Sequence, residues 1–363
     1  MNRSARIFVA GGQTLIGAAL LRRLRLLGYT RLVGEPPFEP NLCRAEDVEE
    51  FFASVRPEYV FLAAGLSGGI GLNWRQPADL MLDNLLVAAN VIPACHRFGV
   101  TKLLYLGSSC SYPKHAPQPM AVESLLAGAL EPTSEAYATA KLAGWKLCQA
   151  FRQQYGDCFI TGIPANAFGP HDDFSSENGH VIPALMRRTY QATQDGDAVL
   201  TVWGSGTACR EFIYADDLAD ACITVMRHYN GEMPINLGSG MVLTIAEVAK
   251  EIIDVVGFPG KLEFDRSQPD GMPWKALDSS ALFRLGWRPK TPFRAALVST
   301  YQWFLHHVLK EGNGHVRATI SEALSDSAGG GGDCPRLSER LHQKSDSSFH
   351  RPGSSVGGSL RSA

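Results

Sequence analysis

Arg6-Ile7-Phe8-Val9-Ala10-Gly11-Gly12-Gln13-Thr14-Leu15-Ile16-Gly17 is a short apolar β-type run that breaks into glycines, and a helix-periodic stretch from Ala18 to Leu27 follows it. A strand, a tight glycine turn and a helix form the opening of a dinucleotide-binding unit. Glycines let the backbone approach a pyrophosphate, and the positive end of a helix favours its charge. The spacing is G-x-x-x-x-x-G, with Thr14 where many such loops place a middle glycine. Alone this spacing is a weak signal, and its place on the first strand strengthens it.

Outward from that turn, Thr30–Val33 reads as a second strand ending at Gly34-Glu35. An acidic side chain about 20 residues beyond the glycines commonly accepts from the adenosine ribose 2′-hydroxyl, which favours NAD over NADP. A plain loop start at Glu35-Pro36-Pro37 accounts for the same residue equally well. Residues 47–55 read as a helix, 57–64 as a buried strand with a glycine-rich exit through Gly71, and 80–98 as a long helix that Pro93 can kink. Strands follow at 102–106 and 158–163. This alternation predicts an α/β fold with a Rossmann-like, doubly wound parallel sheet. Ligands of such sheets bind at the C-terminal strand ends, where Gly11, Ala64, Ser108 and Asn166 would gather.

Beyond Gly169 the alternation weakens. Short strands at 198–203 and 261–264 and amphipathic helices at 244–256 and 293–308 predict a smaller mixed α/β lobe over the cofactor crevice. The expected division is 1–168 mainly for the dinucleotide and 169–310 mainly for substrate, with some return of the chain to the first part. From about Glu311 the composition turns to Gly, Ser and polar residues, with Gly329-Gly330-Gly331-Gly332 inside it. Such a segment buries too little apolar surface to offset its ordering entropy, so 311–363 is expected to be a disordered tail.

Bulk properties agree with a globular enzyme. The chain has 363 residues, 45% hydrophobic and 19% charged, enough for one large domain with an appendage. A net charge of −2 gives no reason to expect a nucleic-acid or anionic-membrane partner. No uninterrupted apolar run reaches the roughly 18 residues of a membrane span, and the start lacks the long apolar core of a secretory signal. A cytoplasmic location is expected. The eight cysteines show no C-x-x-C pair, so neither a metal site nor a redox dithiol is expected. Cys43, Cys95, Cys148, Cys158, Cys209, Cys222 and Cys334 read as structural or incidental.

The chemistry is carried by Glu135-Ala136-Tyr137-Ala138-Thr139-Ala140-Lys141 with Gly107-Ser108-Ser109-Cys110 upstream. Helical spacing puts Tyr137 and Lys141 on one face. An ammonium beside a phenol favours the phenolate, so Lys141 is expected to lower the Tyr137 pKa. Such a tyrosine passes a proton to or from a carbonyl oxygen while hydride moves at carbon, and Ser108 would hold the same oxygen.

With these residues in place, the chain resembles the extended short-chain dehydrogenase/reductase superfamily, and within it the GDP-L-fucose synthase family. The likeness rests on the glycine loop, Leu106–Lys114 and Tyr137-x-x-x-Lys141, and on Gly68-Gly69-Ile70, Glu131–Glu135, Gly169–Phe174 and His180–Leu185. It continues through Val202–Thr207, Arg210-Glu211-Phe212, Asp216-Asp217, Pro269-Asp270-Gly271 and Ser299–Phe304, covering almost all of 6–310. The resemblance implies a 3,5-epimerase/4-reductase of a GDP-linked 4-keto-6-deoxy sugar, working with NADP(H) as a homodimer through a helix pair in the first domain. It assigns Ser108, Cys110, Tyr137, Lys141 and His180 to catalysis, with Cys110 and His180 as base and acid for epimerisation. Cofactor contacts would come from Gly11, Gly12, Gln13, Thr14, Leu15, Ile16, Gly17, Glu35, Leu106, Gly107, Ser108, Ser109, Lys141, Pro164, Ala165, Asn166, Ala167 and His180. Arg188, Trp203, Arg210 and Asp270 would hold the GDP-sugar; arginine suits a diphosphate and Trp203 offers an aromatic face.

The departures from the family lie in the cofactor loop. Thr14 replaces the middle glycine, Gln13 stands where some members have a basic residue, and Glu35 falls where members carry a positive charge for the 2′-phosphate. The resemblance therefore says NADP(H) while Glu35 leaves NAD(H) open. Trp274 also falls near a place where members often have a basic residue. The enzyme alternative is a related reductase or epimerase of another nucleotide-linked deoxyhexose or heptose. The alternative of a different class is a non-catalytic nucleotide-binding sensor; such sensors lose the tyrosine or the lysine, and both are present here.

Overall fold

Parallel pairing of strands that are apolar on both faces builds the centre of the molecule. The computed structural model describes residues 1–35, 37–175, 178–268 and 271–309. In chain order its first elements are β1 (Arg6–Ala10), α1 (Leu15–Leu26), β2 (Arg31–Val33), α2 (Ala45–Val55), β3 (Tyr59–Leu62), α3 (Ile70–Arg75), α4 (Pro77–Arg97) and β4 (Lys102–Leu106). Next come α5 (Glu135–Tyr155), β5 (Phe159–Pro164), β6 (Asn166–Phe168), α6 (Val181–Asp195), β7 (Val199–Trp203), β8 (Cys209–Tyr214) and α7 (Ala215–His228). The last are β9 (Ile235–Leu237), β10 (Val242–Thr244), α8 (Ile245–Val256), β11 (Lys261–Asp265), β12 (Trp274–Lys275), α9 (Ser280–Arg284) and α10 (Phe293–Trp303).

The main sheet has the order β2-β1-β3-β4-β5-β9, and every pairing in it is parallel. β4 and β5 are buried along their whole length, as expected of strands covered by helices on both faces. α1 packs with α7, and α4 packs with α2 and α5. α4 is long and apolar, but Leu80, Val87, Val91 and Ile92 turn into the core, and the helix runs on through Pro93.

A second apolar cluster, built on Phe168, Met186, Phe212, Ile252, Leu297 and Phe304, gathers α6, α8 and α10. Its strands form a sheet in which β8 pairs β6, β10 and β12, and a separate parallel pair of β7 with β11. Late in the chain β9 joins the main sheet beside β5, while α7 packs on α1. Sequence periodicity misses β6, β9 and β12 because two or three residues carry no usable pattern. The tail expected from 311 lies outside the described residues, as does Asp270.

Glu211 ties the two regions together. Its buried carboxylate accepts from the backbone N–H of Leu277 at 2.7 Å and of Gly240 at 2.8 Å. Burial pushes its pKa up, and these backbone donors act against that shift. The segment after β12 is fixed further by the Ala276 N–H to Gln118 Oε1 and the Met120 N–H to the Ala276 carbonyl.

At Gly144, in the middle of α5, an added Cβ would lie 2.4 Å from the ring of Tyr105, which is only 2% exposed. Alanine gains about 1 kcal/mol of helix propensity over glycine. Forcing a methyl against a fixed ring costs about 1–3 kcal/mol. Gly144→Ala is therefore expected to lower stability despite its better helix propensity, and urea unfolding checks this; a raised midpoint would show that Tyr105 can move aside.

Candidate active site

The glycine turn closes tightly. Gly11 adopts φ +84°, and a Cβ on Gly12 or Gly17 would overlap the carbonyl of Gly34 or Gly11. Thr14 caps α1: its Oγ1 accepts from the Gly17 N–H at 3.1 Å and donates to the Gly11 carbonyl at 2.8 Å. The side chain that replaces the family's middle glycine thus folds back into the turn. α1 begins at Leu15, earlier than periodicity suggested, because of this cap. The Leu15 and Ile16 N–H groups have no partner among the described residues. Two free donors at a helix N-terminus suit a dinucleotide diphosphate. Gln13 is exposed beside them.

Two carboxylates border this turn. Glu35 forms an ion pair with Arg25 at 2.5 Å, each side chain half exposed. Glu39, which sequence reasoning passed over, accepts from the Gly11 N–H. Burial pushes Glu39 up, while the backbone donors of Gly11 and Gly12 hold it down. Nothing in the local sequence distinguishes Glu39 from a loop residue.

At the ends of β3 and β4 lies the candidate reaction centre. Lys141 is buried, and its Nζ reaches the carbonyls of Ala64 at 3.4 Å and Leu106 at 3.3 Å. It stands 5.8 Å from the Tyr137 ring centroid. Burial lowers Lys141 to about 8, with the charge of Asp83 acting the other way. Burial raises the Tyr137 phenol, as does the charge of Cys110, while a hydrogen bond with Ser108 acts against both. The expected lowering of Tyr137 by Lys141 is not found in the free chain, where burial and the charge of Cys110 raise the phenol. The phenol is kept protonated, the form in which it can give a proton away. Ser108 closes β4, and its Oγ accepts from the Cys110 N–H at 3.1 Å. Behind Ser108 and Lys141, a cavity of about 10 Å³ is lined by Ser111, Trp145 and Thr161, and the Ser111 Oγ and Trp145 Nε1 have no hydrogen-bond partner among the described residues. Its size and donor set match one ordered water.

Cys110 and His180 are biased in opposite directions. Burial pushes the Cys110 thiol up, but the Lys275 ammonium, the Ser108 and Ser134 hydroxyls and His180 outweigh it and bring the pKa below its ordinary value. Burial lowers His180, but Asp172, with Oδ1 3.9 Å from Nδ1, and then Cys110 and Asp173 bring it above its ordinary value. His180 is the N-cap residue of α6. Lys275 Nζ lies 3.7 Å from Cys110 Sγ. Sequence reasoning missed Lys275, whose only local signal is the short run Pro273-Trp274-Lys275.

The remaining expected residues take separate places. Leu106, Gly107 and Ser109 continue the β4 end, and Pro164, Ala165, Asn166 and Ala167 span the β5–β6 junction. Asn166 Nδ2 donates to the Glu211 carbonyl. Arg188, on α6, donates to the Thr201 carbonyl of β7, whose last residue, Trp203, is 69% exposed. Arg210, on β8, donates to the Met272 carbonyl and stands in register with Lys275. No hydrogen bond or ring contact among the described residues joins Arg188 or Trp203 to the reaction centre.

A glycine turn on β1, a parallel sheet and a Ser-Tyr-Lys set at its strand ends define a nucleotide-sugar short-chain dehydrogenase, and the family model agrees: residues 7–238 match the NAD dependent epimerase/dehydratase family, to which the chain belongs. GDP-L-fucose synthase 1 of Arabidopsis thaliana is 50% identical over 307 residues, 85% of this chain and 95% of that protein. GDP-L-fucose synthase of Escherichia coli K12 is 46% identical over 311 residues, 83% of this chain and 97% of that one. Among solved structures, a GDP-L-fucose synthetase from Naegleria fowleri bound to NADP is 31% identical with a TM-score of 0.79, covering 85% of this chain and 96% of that one.

Lys141 gives a test of the site's electrostatics. Its pKa is about 8 in the folded chain and 10.5 ordinarily, so the folded state carries the cost of the buried charge below pH 8. Between pH 8 and 10.5 the unfolded chain binds the extra proton, and stability rises with pH. Lys141→Met is therefore expected to be more stable than the parent at pH 7, by about 3 kcal/mol at most. The gap should close by about pH 10.5 in urea unfolding; a gap that does not depend on pH would show that the folded chain does not lower the Lys141 pKa.

Proposed function

We propose that the chain epimerises GDP-4-keto-6-deoxymannose at C3 and C5 and then reduces C4 with NADPH, giving GDP-L-fucose. One observation carries this reading: a cysteine biased toward thiolate and a histidine biased toward imidazolium adjoin the Ser108, Tyr137 and Lys141 set. A reductase alone has no use for the first pair. The names of relatives at 46–50% identity support the same reading.

The ketone at C4 makes the protons on C3 and C5 acidic, since either carbanion delocalises onto the C4 oxygen. The Cys110 thiolate takes the proton from carbon, leaving the electron pair on that oxygen, where Ser108 holds it by hydrogen bond. His180 returns a proton to the opposite face, and the carbon is inverted. After both inversions Tyr137 protonates the C4 oxygen, with its phenol held protonated until then. The bound nicotinamide would supply hydride to C4. Lys141 would hold the nicotinamide ribose, and the Leu15 and Ile16 amides the diphosphate. Arg188, Trp203, Arg210 and Asp270 would hold the GDP portion, with 1–168 serving mainly the cofactor and 169–310 mainly the sugar.

NADPH is preferred to NADH in this reading because Glu35 is already neutralised by Arg25, which brings a guanidinium to the edge of the turn. A homodimer through α4 and α5 is part of the same proposal; Leu82 and Tyr155 stand exposed on those helices.

Incubation with GDP-4-keto-6-deoxymannose in deuterated water, with each reduced cofactor in turn, tests the reading. GDP-L-fucose carrying deuterium at C3 and C5 is expected, with higher kcat/KM for NADPH. Tyr137→Phe should lower reduction about 100-fold or more while exchange continues. Cys110→Ser should instead cut exchange. A reduced product that keeps the starting configuration at C3 and C5 would make the chain a simple 4-ketoreductase.

A further inference from the structure

We propose that Lys275 holds Cys110 in its thiolate form, so that the epimerising half of the site depends on an ammonium carried in by β12, the last strand among the described residues. The inference rests on the role of Cys110 proposed above and adds a positioning residue to it.

The geometry is specific. Nζ of Lys275 lies 3.7 Å from Sγ, although the two residues are 165 positions apart in the chain. Among the described residues no carboxylate forms an ion pair with Lys275. A lysine within 4 Å of a sulfur, with no competing anion, spends its charge on that sulfur. Lys275 is also held firmly from behind. β12 pairs in parallel with β8, placing Lys275 beside Arg210. The residues that follow, Ala276 and Leu277, are buried and anchored by Gln118, Met120 and the Glu211 carboxylate. A lysine on a surface loop would lose much of its effect to solvent and to its own rotamers; this one is delivered by a pinned strand.

Each element around Cys110 contributes a group that bears on its protonation. α5 brings Tyr137, whose own ionisation is opposed by the charge of Cys110. The turn before α5 brings the Ser134 hydroxyl, the end of β4 brings Ser108, and the start of α6 brings His180. Ser108 and Ser134 donate hydrogen bonds without charge. His180 must give up its proton during turnover, so its help to the thiolate is intermittent. Lys275 has no proton to give in the proposed reaction and is the one lasting positive charge in this set. It therefore lets Cys110 return to thiolate after each proton transfer while His180 cycles between its two forms.

The test follows the thiol directly. Alkylation of Cys110 by iodoacetamide, followed by peptide-resolved mass spectrometry across pH, gives the thiol midpoint without any sugar substrate. In the parent chain the midpoint is expected below the ordinary thiol value of about 8.5. Lys275→Met should raise it by about one pH unit or more, a roughly tenfold slower alkylation at neutral pH. Lys275→Arg should keep it near the parent value. NADPH binding reports that each variant is folded, and Lys275→Gln runs the same test should the methionine variant fail to fold. With the sugar, exchange at C3 and C5 by Lys275→Met should slow about tenfold at pH 7 and recover as pH rises. An unchanged Cys110 midpoint in folded Lys275→Met, or a raised KM with an unmoved pH profile, would overturn the inference and make Lys275 a substrate contact. A shifted midpoint in a chain that turns over no GDP-4-keto sugar would leave the inference standing and overturn the proposed function instead.

Discussion

The Lys141 ammonium, buried between the carbonyls of Ala64 and Leu106, is the interaction on which the reaction centre depends. It joins α5 to the C-terminal ends of two neighbouring strands, β3 and β4, and so fixes where Tyr137 stands relative to Ser108. The contacts are long for hydrogen bonds, and burial weighs against the charge. A core built for stability alone would hold a leucine there. Nearby packing is arranged around the lysine: Gly144 lets Tyr105 approach α5, and Gly65, at φ +113°, leaves room for Asn84 beside it. The tyrosine beyond it remains a neutral phenol, so the pair is set for giving a proton rather than for taking one.

A different physical device governs Cys110 and His180. Burial alone would leave the thiol protonated and the imidazole neutral, which is useless for moving protons from carbon. Point charges reverse both: Lys275 acts on the thiol and Asp172 on the ring. These groups come from four separate places in the chain, and Asp172 is itself buried and raised. Glu211 accepts from the backbone of the return segment that carries Lys275, and so helps to fix where that ammonium stands beside the thiol. The Ser108, Tyr137 and Lys141 set, proposed for reduction, is built from local sequence; the Cys110 and His180 pair, proposed for epimerisation, is assembled by tertiary structure.

That division explains what the sequence made legible. The glycine turn, the alternation of strands and helices, and the four-residue spacing of Tyr137 and Lys141 are local patterns, and the fold follows them closely. Cys110 and His180 were reached through family resemblance, because neither residue type carries a role by itself. Lys275 and Glu39 carried no role in the sequence, and Glu211 stood only inside the Arg210-Glu211-Phe212 run: each acts on a group more than 20 residues away, and only the folded backbone brings them there. Thr14 is a different case. It stands where the family places a middle glycine, and its hydroxyl caps the helix and leaves the next two amides free.

Glu35 was the residue that seemed to set the cofactor, and the structure changes the terms of that question. A free carboxylate at the end of β2 would repel a 2′-phosphate and accept from a 2′-hydroxyl. This one is paired with Arg25, and both partners are half exposed. Exposed ion pairs contribute about 0–1 kcal/mol and are screened by salt, so the pair is cheap to open. A guanidinium that leaves a carboxylate for a phosphate exchanges one charge-assisted contact for a stronger, bidentate one. The carboxylate, once released, faces water and keeps most of its solvation. The balance at this edge is therefore set by where Arg25 can reach rather than by the sign of Glu35. Under the proposed NADPH reading, Arg25 on α1 would supply the positive charge that the family places at the strand end.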